Sequence, residues 1–458
     1  MPFDPLYYPY ASRRSVVYAR KGMVATSQPL AAQAGLRILQ QGGNAVDAAI
    51  ATAACLTVVE PTCNGLGGDA FAQVWDGATL HGLNSSGPSP RLLTLEKVRA
   101  QGHTTMPHLG VLPITVGGIP AAWAALSARF GRLPLTQVLE PAITYAAEGF
   151  PLSPVVADLW AHAYANFVAC GAPWLRNWFD TFAPQGRAPF AGEMWSLPAQ
   201  AATLQSIAET QAKAFYSGHL AEAIDALMRE HGGYLRAEDL ADFSPTWVDP
   251  LHVSYRGYDI WEIPPNGHGI VALMALNILR ECDLSHRDDP QSIHTMIEAI
   301  KLAFADGLAH VADPSAMRVR PYALLAPAYA AERRALIGNE ALMPCCGQPP
   351  DGGTVYLATA DDSGMMVSYI QSNYLEFGSG LVVANTGIAL QNRGACFSME
   401  DGHPNVIAGG KKPYHTIIPG FITKNSQAIG PFGMMGGFIQ PQGHVMLASR
   451  LLDNALNP

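Results

Sequence analysis

Residues 347 to 370 read Gly-Gln-Pro-Pro-Asp-Gly-Gly-Thr-Val-Tyr-Leu-Ala-Thr-Ala-Asp-Asp-Ser-Gly-Met-Met-Val-Ser-Tyr-Ile, and this stretch decides the fold. Five of its first seven residues are Gly or Pro, without side-chain periodicity, which predicts an exposed, irregular linker. Residues 355–360 and 365–370 then flank Asp361-Asp-Ser-Gly364, a pattern that predicts two strands joined by a turn. The linker therefore ends, and a β-hairpin begins, at Thr354.

The N-terminal part of the chain predicts two helices and a strand. Apolar residues recur at spacings of three and four through residues 27–56, with Gly42-Gly-Asn44 between the two helical patterns. Gly65-Leu-Gly-Gly68 follows, and residues 70–75 predict a strand. A phosphate-binding loop follows a strand and opens a helix, whereas this glycine loop follows a helix and enters a strand. We therefore interpret it as a turn.

The middle of the chain, residues 120–342, is rich in Ala, Leu and Glu and predicts mainly helices. A short strand is predicted at residues 255–263, and another at residues 380–384. Helix-rich segments beside strong hairpins favour a layered α/β structure over a parallel nucleotide-binding fold. The predicted helices in this part of the chain cover residues 121–129, 135–148, 201–211, 220–231 and 292–311.

Composition excludes several classes of function. The 458 residues are 49% hydrophobic and only 14% charged, which indicates a large core, and 28 Lys and Arg against 37 Asp and Glu give a net charge of −9. No basic run could neutralise a phosphate backbone, so we expect no nucleic-acid partner. The mostly apolar residues 48–59 are too short to span a bilayer, and the N-terminus lacks a signal-peptide pattern. We expect a soluble, cytoplasmic protein with no membrane partner.

The seven cysteines are odd in number and scattered, and none form a Cys-x-x-Cys pair. A disulfide scaffold is therefore not predicted. The adjacent Cys345 and Cys346 could form a redox pair or bind a soft metal, but two ordinary loop thiols are the favoured interpretation. The fourteen His show no His-Glu-x-x-His or comparable spacing, so we predict neither a metal site nor a cofactor.

Eight blocks of sequence, in order from about residue 25 to the end, resemble the γ-glutamyltransferase family of N-terminal-nucleophile (Ntn) hydrolases. The first is specific by itself, and eight in order make coincidence an inadequate explanation. The blocks are Gly42-Gly-Asn-Ala-Val-Asp-Ala-Ala49, Val59-Glu-Pro61, Gly65-Leu-Gly-Gly68, Gly118-Ile-Pro120, Tyr255-Arg-Gly-Tyr258 with Pro264-Pro265, Ala305-Asp306, Asp313-Pro314 and Phe377-Gly-Ser-Gly380.

The resemblance implies a precursor that cuts itself before a threonine, giving a large and a small subunit interleaved in one four-layer αββα sandwich. Here the cut falls between Gly353 and Thr354, so residues 1–353 form the large subunit and residues 354–458 the small one. Relatives continue with further strands, so we expect this chain to be truncated at its C-terminus. The two subunits are partners from one precursor, and a dimer of such pairs is left open.

The same resemblance makes Thr354 the nucleophile. A threonine hydroxyl needs a nearby base, and the α-amine created by cleavage, with a pKa near 8, supplies one. Before cleavage the hydroxyl would attack the Gly353 carbonyl to form an ester that water resolves. The alternative is that Thr354 merely begins a strand, where Thr is common. Thr359 on the same strand matches no cleavage point.

Three further residues take catalytic roles by the same resemblance. Gly436 and Gly437, in Met434-Met-Gly-Gly-Phe438, match a glycine pair whose backbone amides stabilise the oxyanion, although a simple turn is the alternative. Ser372 matches a family Thr beside the nucleophile, against the alternative of an ordinary strand serine.

The γ-glutamyl pocket is not retained. The family arginine for the α-carboxylate falls at Asn84, the acid for the α-amine at Cys396, and a serine pair at His415-Thr416. An unpaired desolvated charge costs about 3–5 kcal/mol, so glutathione is a poor candidate substrate. Residues 397–411 are also fewer than in γ-glutamyl enzymes, which predicts the absence of a lid loop.

Arg393 and His415 are the nearby groups that could bind an anionic acyl group, with Thr416 beside them. A salt-bridge role for Arg393 and a core role for His415 are left open, and His268 receives no role. We predict an amidohydrolase for a small-molecule amide whose acyl group is small or dicarboxylate-like, similar to the cephalosporin (glutaryl) acylase-like and oxamate amidohydrolase-like members. The alternatives are a true γ-glutamyltransferase and a non-catalytic assembly module.

Overall fold

The computed structural model describes residues 4, 6–12, 15–344 and 353–457. Residues 347–352 of the predicted linker and the Cys345-Cys346 pair lie outside the described residues, and Gly353, the last residue of that linker, begins a strand. The strands within these ranges are β1 Gly22–Thr26, β2 Asp69–Trp75, β3 Leu80–Ser85, β4 Phe150–Pro151, β5 Met194–Trp195, β6 Thr246–Val248, β7 Leu251–Tyr255, β8 Tyr258–Glu262, β9 Gly353–Asp361, β10 Met366–Tyr374, β11 Val382–Val383, β12 Ile388–Ala389, β13 Gly420–Lys424 and β14 Gln427–Phe432.

The helices pack outside the strands and include four short ones of four or five residues. They are α1 Pro29–Gln40, α2 Ala45–Val59, α3 Leu95–Ala100, α4 Ile119–Phe130, α5 Leu135–Val138, α6 Glu140–Glu148, α7 Pro154–Cys170, α8 Arg176–Phe182, α9 Pro198–Thr210, α10 Lys213–Ser217, α11 His219–Glu230, α12 Ala237–Ala241, α13 Gly269–Leu279, α14 Pro290–His310, α15 Pro321–Leu324, α16 Pro327–Arg334 and α17 Gln440–Leu452.

The larger sheet has the strand order β1-β9-β10-β2-β3-β6, with antiparallel pairing throughout. Its centre is the predicted hairpin, in which Val355 of β9 pairs with Gln371 of β10 and Ala360 pairs with Met366. The hairpin prediction is therefore confirmed. Of the strand predicted at residues 380–384 only β11 forms, and it pairs with β12 in a separate two-stranded sheet.

The smaller sheet has the order β14-β13-β8-β7 and faces the larger one. Phe71 and Ile370 of the larger sheet meet Ile263 and Ile417 in a buried cluster between the two. The strand predicted at residues 255–263 forms over Tyr258–Glu262 as β8 but begins later than predicted, because Arg256 and Gly257 have φ of 51° and 78° and turn the chain between β7 and β8. Two successive residues with positive φ are what a tight hairpin turn requires.

Helices cover the outer face of each sheet. Every residue of α2 is buried, and α2 contacts β9 and β10 of the larger sheet. Every residue of α13 is likewise buried, and α13 contacts β7 and β8 of the smaller sheet as well as α14 and α17. A helix that is apolar on all sides must lie in the interior of a layered structure. The predicted four-layer αββα sandwich is confirmed.

The predicted helices are present, and one of them is divided. Residues 135–148 form α5 and α6 rather than one helix, because Pro141 has no N–H to donate to the Gln137 carbonyl. Among the described residues, no helix combines the length and apolar content that a bilayer span requires.

The block Gly42-Gly-Asn-Ala-Val-Asp-Ala-Ala49 begins α2. The Asn44 side chain accepts from the Asp47 amide, and the Asp47 carboxylate accepts from the Asn44 amide, both at 3.0 Å. The same carboxylate also accepts from the Arg132 and Leu133 amides at 3.0 and 3.3 Å. One buried carboxylate thus caps α2 and holds the segment that follows α4.

Replacing Asp47 by Ala is expected to lower the free energy of unfolding by about 2–4 kcal/mol, because each buried donor left without an acceptor costs about 1–3 kcal/mol. The measurement is the midpoint of urea unfolding at pH 7. Asp158→Ala on α7, where the side chain is 73% exposed, is the control and should change the stability by less than about 0.5 kcal/mol. Equal midpoints for the two variants would contradict the expectation.

Candidate active site

Thr354 lies at the start of β9 and is 1% exposed. Its Oγ1 donates a hydrogen bond to Ser372 Oγ on the neighbouring strand β10 at 3.3 Å. Ser372 Oγ also accepts from the Tyr374 amide at 2.8 Å, where the register of β9 and β10 shifts between Gln371 and Tyr374. The structure therefore brings together the two hydroxyls that the sequence pairs.

The backbone nitrogen of Thr354 contacts a different residue. Its N–H donates to the thiol of Cys63, in the loop that follows α2. Burial, and then the nearby Glu60 carboxylate, raises the pKa of Cys63 to about 12, so the thiol is neutral at physiological pH. The nitrogen of Thr354 thus contacts Cys63 from the N-terminal part of the chain, and its hydroxyl contacts Ser372 from the C-terminal part.

The glycine turn before β2 packs against the same place. A Cβ on Gly68 would lie 2.5 Å from the Ser372 carbonyl oxygen, so only glycine allows this approach of backbone to backbone. The Gly68 carbonyl accepts from the amides of Gly118 and Ile119 at 2.8 and 3.0 Å. The interpretation of this loop as a turn is confirmed, and its tight packing supports the strand that carries Ser372.

Arg393 is fully buried, at the start of a 3₁₀ turn over Arg393–Cys396. Its Nη1 donates to Thr416 Oγ1 at 2.7 Å, and its guanidinium lies 4.6 Å from the centre of the Tyr374 ring. Its Nε and Nη2 atoms, which form one edge of the planar group, have no hydrogen-bond partner among the described residues. The structure therefore joins Arg393 to Thr416, and through Tyr374 to Ser372, and leaves one edge of the cation unpaired.

His415 has both ring nitrogens engaged. Nε2 lies 3.0 Å from Asp69 Oδ2, and Nδ1 accepts from the Ile417 amide at 3.4 Å, so the Nε2 tautomer donates to the carboxylate. Burial, and then the charge of Arg393, holds the pKa of His415 well below its usual value. The neutral ring thereby positions the segment that carries Thr416.

Asp69 was not singled out from the sequence. It is the first residue of β2, it pairs in register with Ser372, and its Oδ1 accepts from the Gly87 amide at 3.0 Å. Burial raises the pKa of Asp69 to about 7, against the lowering effect of Arg393. Its position directly after a glycine turn in an apolar strand was the signal that could have revealed it.

The residues at the positions that depart from the γ-glutamyl pattern make hydrogen bonds within the protein. Asn84 Nδ2 donates to Asn266 Oδ1 at 2.9 Å, and Asn84 Oδ1 accepts from Ser86 Oγ at 2.7 Å. The Cys396 thiol accepts from the Tyr374 hydroxyl. The backbone amide of His268 donates to the His415 carbonyl at 2.9 Å, and burial lowers the pKa of the His268 ring to about 3.

Gly436 and Gly437 lie between β14 and α17, with φ of 128° and 61°. Both values favour glycine. Gly433, earlier in the same connection, packs so closely on the Tyr356 ring that a Cβ there would overlap it. Tyr356 is two residues after Thr354, so this connection runs beside the start of β9.

Comparison with known proteins gives a consistent set of relatives. The family model described as gamma-glutamyltranspeptidase matches residues 31–458. A glutathione hydrolase-like proenzyme of Bacillus subtilis is 37% identical over 448 residues, which cover 96% of this chain and 84% of the relative. An oxamate amidohydrolase proenzyme of Klebsiella pneumoniae is 35% identical over 443 residues, which cover 94% and 82%.

Solved structures agree with these relatives. The crystal structure of cephalosporin acylase from Bacillus halodurans superposes with a TM-score of 0.95 at 56% sequence identity, covering 100% of this chain and 85% of that one. The crystal structure of Helicobacter pylori gamma-glutamyltranspeptidase superposes with a TM-score of 0.67 at 28% identity, covering 72% and 95%.

Proposed function

The chain belongs to the gamma-glutamyltranspeptidase family of Ntn-type amidohydrolases, and from this we propose that it is a self-processing enzyme that hydrolyses amides of small carboxylate-bearing acyl groups. In this proposal Thr354 is the nucleophile and Arg393 binds the carboxylate of the acyl group. We infer the substrate class from the fully buried guanidinium of Arg393, because its Nε and Nη2 atoms have no hydrogen-bond partner among the described residues.

Maturation follows from the contacts of Thr354. Its hydroxyl attacks the carbonyl carbon of Gly353, the amide nitrogen leaves as the amine of Thr354, and water hydrolyses the resulting ester. Ser372 Oγ, 3.3 Å from Thr354 Oγ1, orients the hydroxyl. The new α-amine has an ordinary pKa near 8 and is the base that activates the same hydroxyl toward substrate. The neutral Cys63 thiol beside that nitrogen adds no charge that would hold it protonated.

The substrate reaction repeats this chemistry. Thr354 Oγ1 attacks the amide carbonyl, the backbone amides of Gly436 and Gly437 stabilise the oxyanion, and the amine departs with a proton. Water then releases the acyl group as a carboxylic acid. Gly433 against the Tyr356 ring supports the placement of the glycine pair near the nucleophile.

Arg393 supports a carboxylate on the acyl group. A buried guanidinium edge without acceptors is costly, and a carboxylate satisfies Nε–H and Nη2–H together in the parallel geometry that it favours. Thr416 and Tyr374 fix the other edge and the ring face of the cation. Asp69 and His415 are hydrogen-bonded to each other, so neither of them supplies an acceptor to the free edge of Arg393. The acyl carboxylate is therefore the ligand that this arrangement lacks.

A γ-glutamyl group suits the site less well. Its ammonium would face Cys396 where family members have an acid, and the Cys396 thiol is engaged by Tyr374. Oxamate, after which one relative is named, carries a carboxylate and no ammonium. A glutaryl amide carries the same charge on a longer chain.

The test is a panel of amides that differ only in the acyl group. We expect oxalyl- or glutaryl-p-nitroanilide to give kcat/KM at least about 100-fold above γ-glutamyl-p-nitroanilide, since an unpaired ammonium costs about 3 kcal/mol or more. The control is the same glutaryl amide with its free carboxylate converted to a neutral amide, which should also be poor. Rapid γ-glutamyl transfer to a dipeptide would make the protein a γ-glutamyltransferase instead, and inactivity toward every amide would indicate a non-catalytic protein.

A further inference from the structure

A cavity of about 620 Å³ is lined in part by Cys63, the residue whose thiol contacts the backbone nitrogen of Thr354. Most of its lining is apolar and comes from α7 and from the loops after α2 and β10. Six of the residues that line it are Cys63, Leu109, Leu159, Phe167, Leu375 and Glu376. Neither the carboxylate site nor the maturation chemistry uses this space.

Cys63 joins the cavity to the nucleophile. Its thiol accepts from the backbone N–H of Thr354, and its carbonyl accepts from the Asn373 amide at 3.4 Å. The wall of the cavity is therefore in contact with the nitrogen of Thr354, whereas the hydroxyl of Thr354 faces Ser372.

Two short segments of the chain connect the cavity with Arg393. In the first, the Tyr374 ring packs on the guanidinium, and the next residue, Leu375, lines the cavity. In the second, Asn392 lines the cavity and the next residue is Arg393 itself. Asn392 Oδ1 accepts from the Leu375 amide at 3.1 Å and so ties the two segments together. In each segment one residue lines the cavity, and its neighbour in the chain either contacts the guanidinium or is Arg393 itself.

The cavity and the site around Arg393 carry charges of opposite sign. Glu376 is the only Asp, Glu, Lys or Arg among the described residues that line the cavity, and its Oε1 accepts from Asn166 Nδ2 at 2.8 Å. No ion pair of Glu376 is present in the described part of the chain. Tyr374 and Glu376 also have positive φ, 83° and 44°, which non-glycine residues rarely adopt and which cluster at functional sites. In this conformation the end of β10 directs the Tyr374 ring toward Arg393, and the loop after β10 directs the Glu376 carboxylate toward the cavity.

We propose that this cavity binds the leaving amine of the amide substrate, and that the preferred amine has an apolar body and a cationic group placed toward Glu376. The inference rests on the proposed function, because it assigns the second half of the amide that Thr354 cleaves. The acyl carboxylate lies toward Arg393, the scissile carbonyl lies at Thr354, and the amine extends past Cys63 into the apolar space.

The experiment uses the full-length matured protein and amides of one acyl group, the best one from the acyl panel. The amines are methylamine and three benzylic amines of similar basicity, namely benzylamine, 4-(aminomethyl)benzylamine acylated once, and 4-(aminomethyl)benzoate. We expect kcat/KM for the benzylamide to exceed that for the methylamide at least about tenfold, because the ring buries apolar area. The cationic amide should exceed the anionic one by about fivefold, as expected for one partly exposed ion pair.

Glu376→Gln should remove the difference between the cationic and the anionic amide, and Leu375→Ala should reduce the difference between the benzylamide and the methylamide. Glu332→Gln, at an exposed position on α16, is the matched control and should keep both differences. Hydrolysis that shows no dependence on the amine would overturn this inference and leave the proposed function standing. No hydrolysis with any acyl group would overturn the proposed function and the inference with it.

Discussion

Thr354→Ala is expected to give an uncleaved chain without amidase activity, whereas the wild-type chain should separate on a denaturing gel into residues 1–353 and 354–458. The substitution removes the oxygen that attacks both the Gly353 carbonyl and the substrate, and loss of a nucleophile lowers kcat by about 10⁴-fold or more. Mass spectrometry of the smaller wild-type fragment should show Thr354 as its first residue.

The same strand provides the control. Thr359 is 2% exposed, and its Oγ1 donates to the Ala45 carbonyl at 2.7 Å, on the side of β9 that faces α2. Thr359→Ala should therefore be cleaved at the same bond, and Thr354→Ser should retain cleavage because it retains a hydroxyl. A single wild-type band would refute self-processing, and a fragment that begins at any residue other than Thr354 would refute the choice of nucleophile.

Arg393→Met is expected to lower kcat/KM for amides with a carboxylate on the acyl group by about 100- to 4,000-fold, since a buried charge left without its partner costs about 3–5 kcal/mol. Amides with a neutral acyl group should lose far less. Arg393→Lys should recover only part of the loss, because a lysine ammonium cannot present the paired Nε–H and Nη2–H edge to a carboxylate.

A structural role for Arg393 predicts a different result. Arg393 Nη1 also holds Thr416, so a purely structural residue would impair cleavage of the precursor and lower activity equally toward charged and neutral acyl groups. Arg176→Met on α8, where the side chain is 85% exposed, is the matched control and should change neither property. Equal losses with both substrate classes would remove Arg393 from the substrate site.

Local patterns in the sequence were sufficient for much of the fold. The alternation in residues 355–360 and 365–370 predicts the hairpin at the centre of the larger sheet, and the register of β9 and β10 confirms it. The three- and four-residue spacing in residues 27–56 predicts α1 and α2. Such patterns are informative because backbone geometry repeats every two residues in a strand and every 3.6 in a helix. The turn at Arg256 and Gly257 was missed because the residues on both sides of it have the alternating pattern of a strand.

The sequence identified only some of the residues of the candidate site. Thr354, Ser372, Arg393 and Thr416 were identified through the family resemblance, and the structure places the first two in contact and the last two in contact. Asp69, Cys63 and Tyr374 were not identified. Their importance comes from partners that lie far away along the chain, and a single sequence carries no local signal for such contacts.

The sequence by itself determined the hairpin that begins at Thr354, the helices around it and the residue types available for chemistry. Only the tertiary structure decided which of those residues already have hydrogen-bond partners. His415 and Arg393 were equal candidates for the anion, but Asp69, 346 positions away from His415, engages its imidazole, whereas Arg393 keeps one edge without a partner. The physical reason is that a buried polar group must be hydrogen-bonded, and the fold alone determines which groups already have their partners.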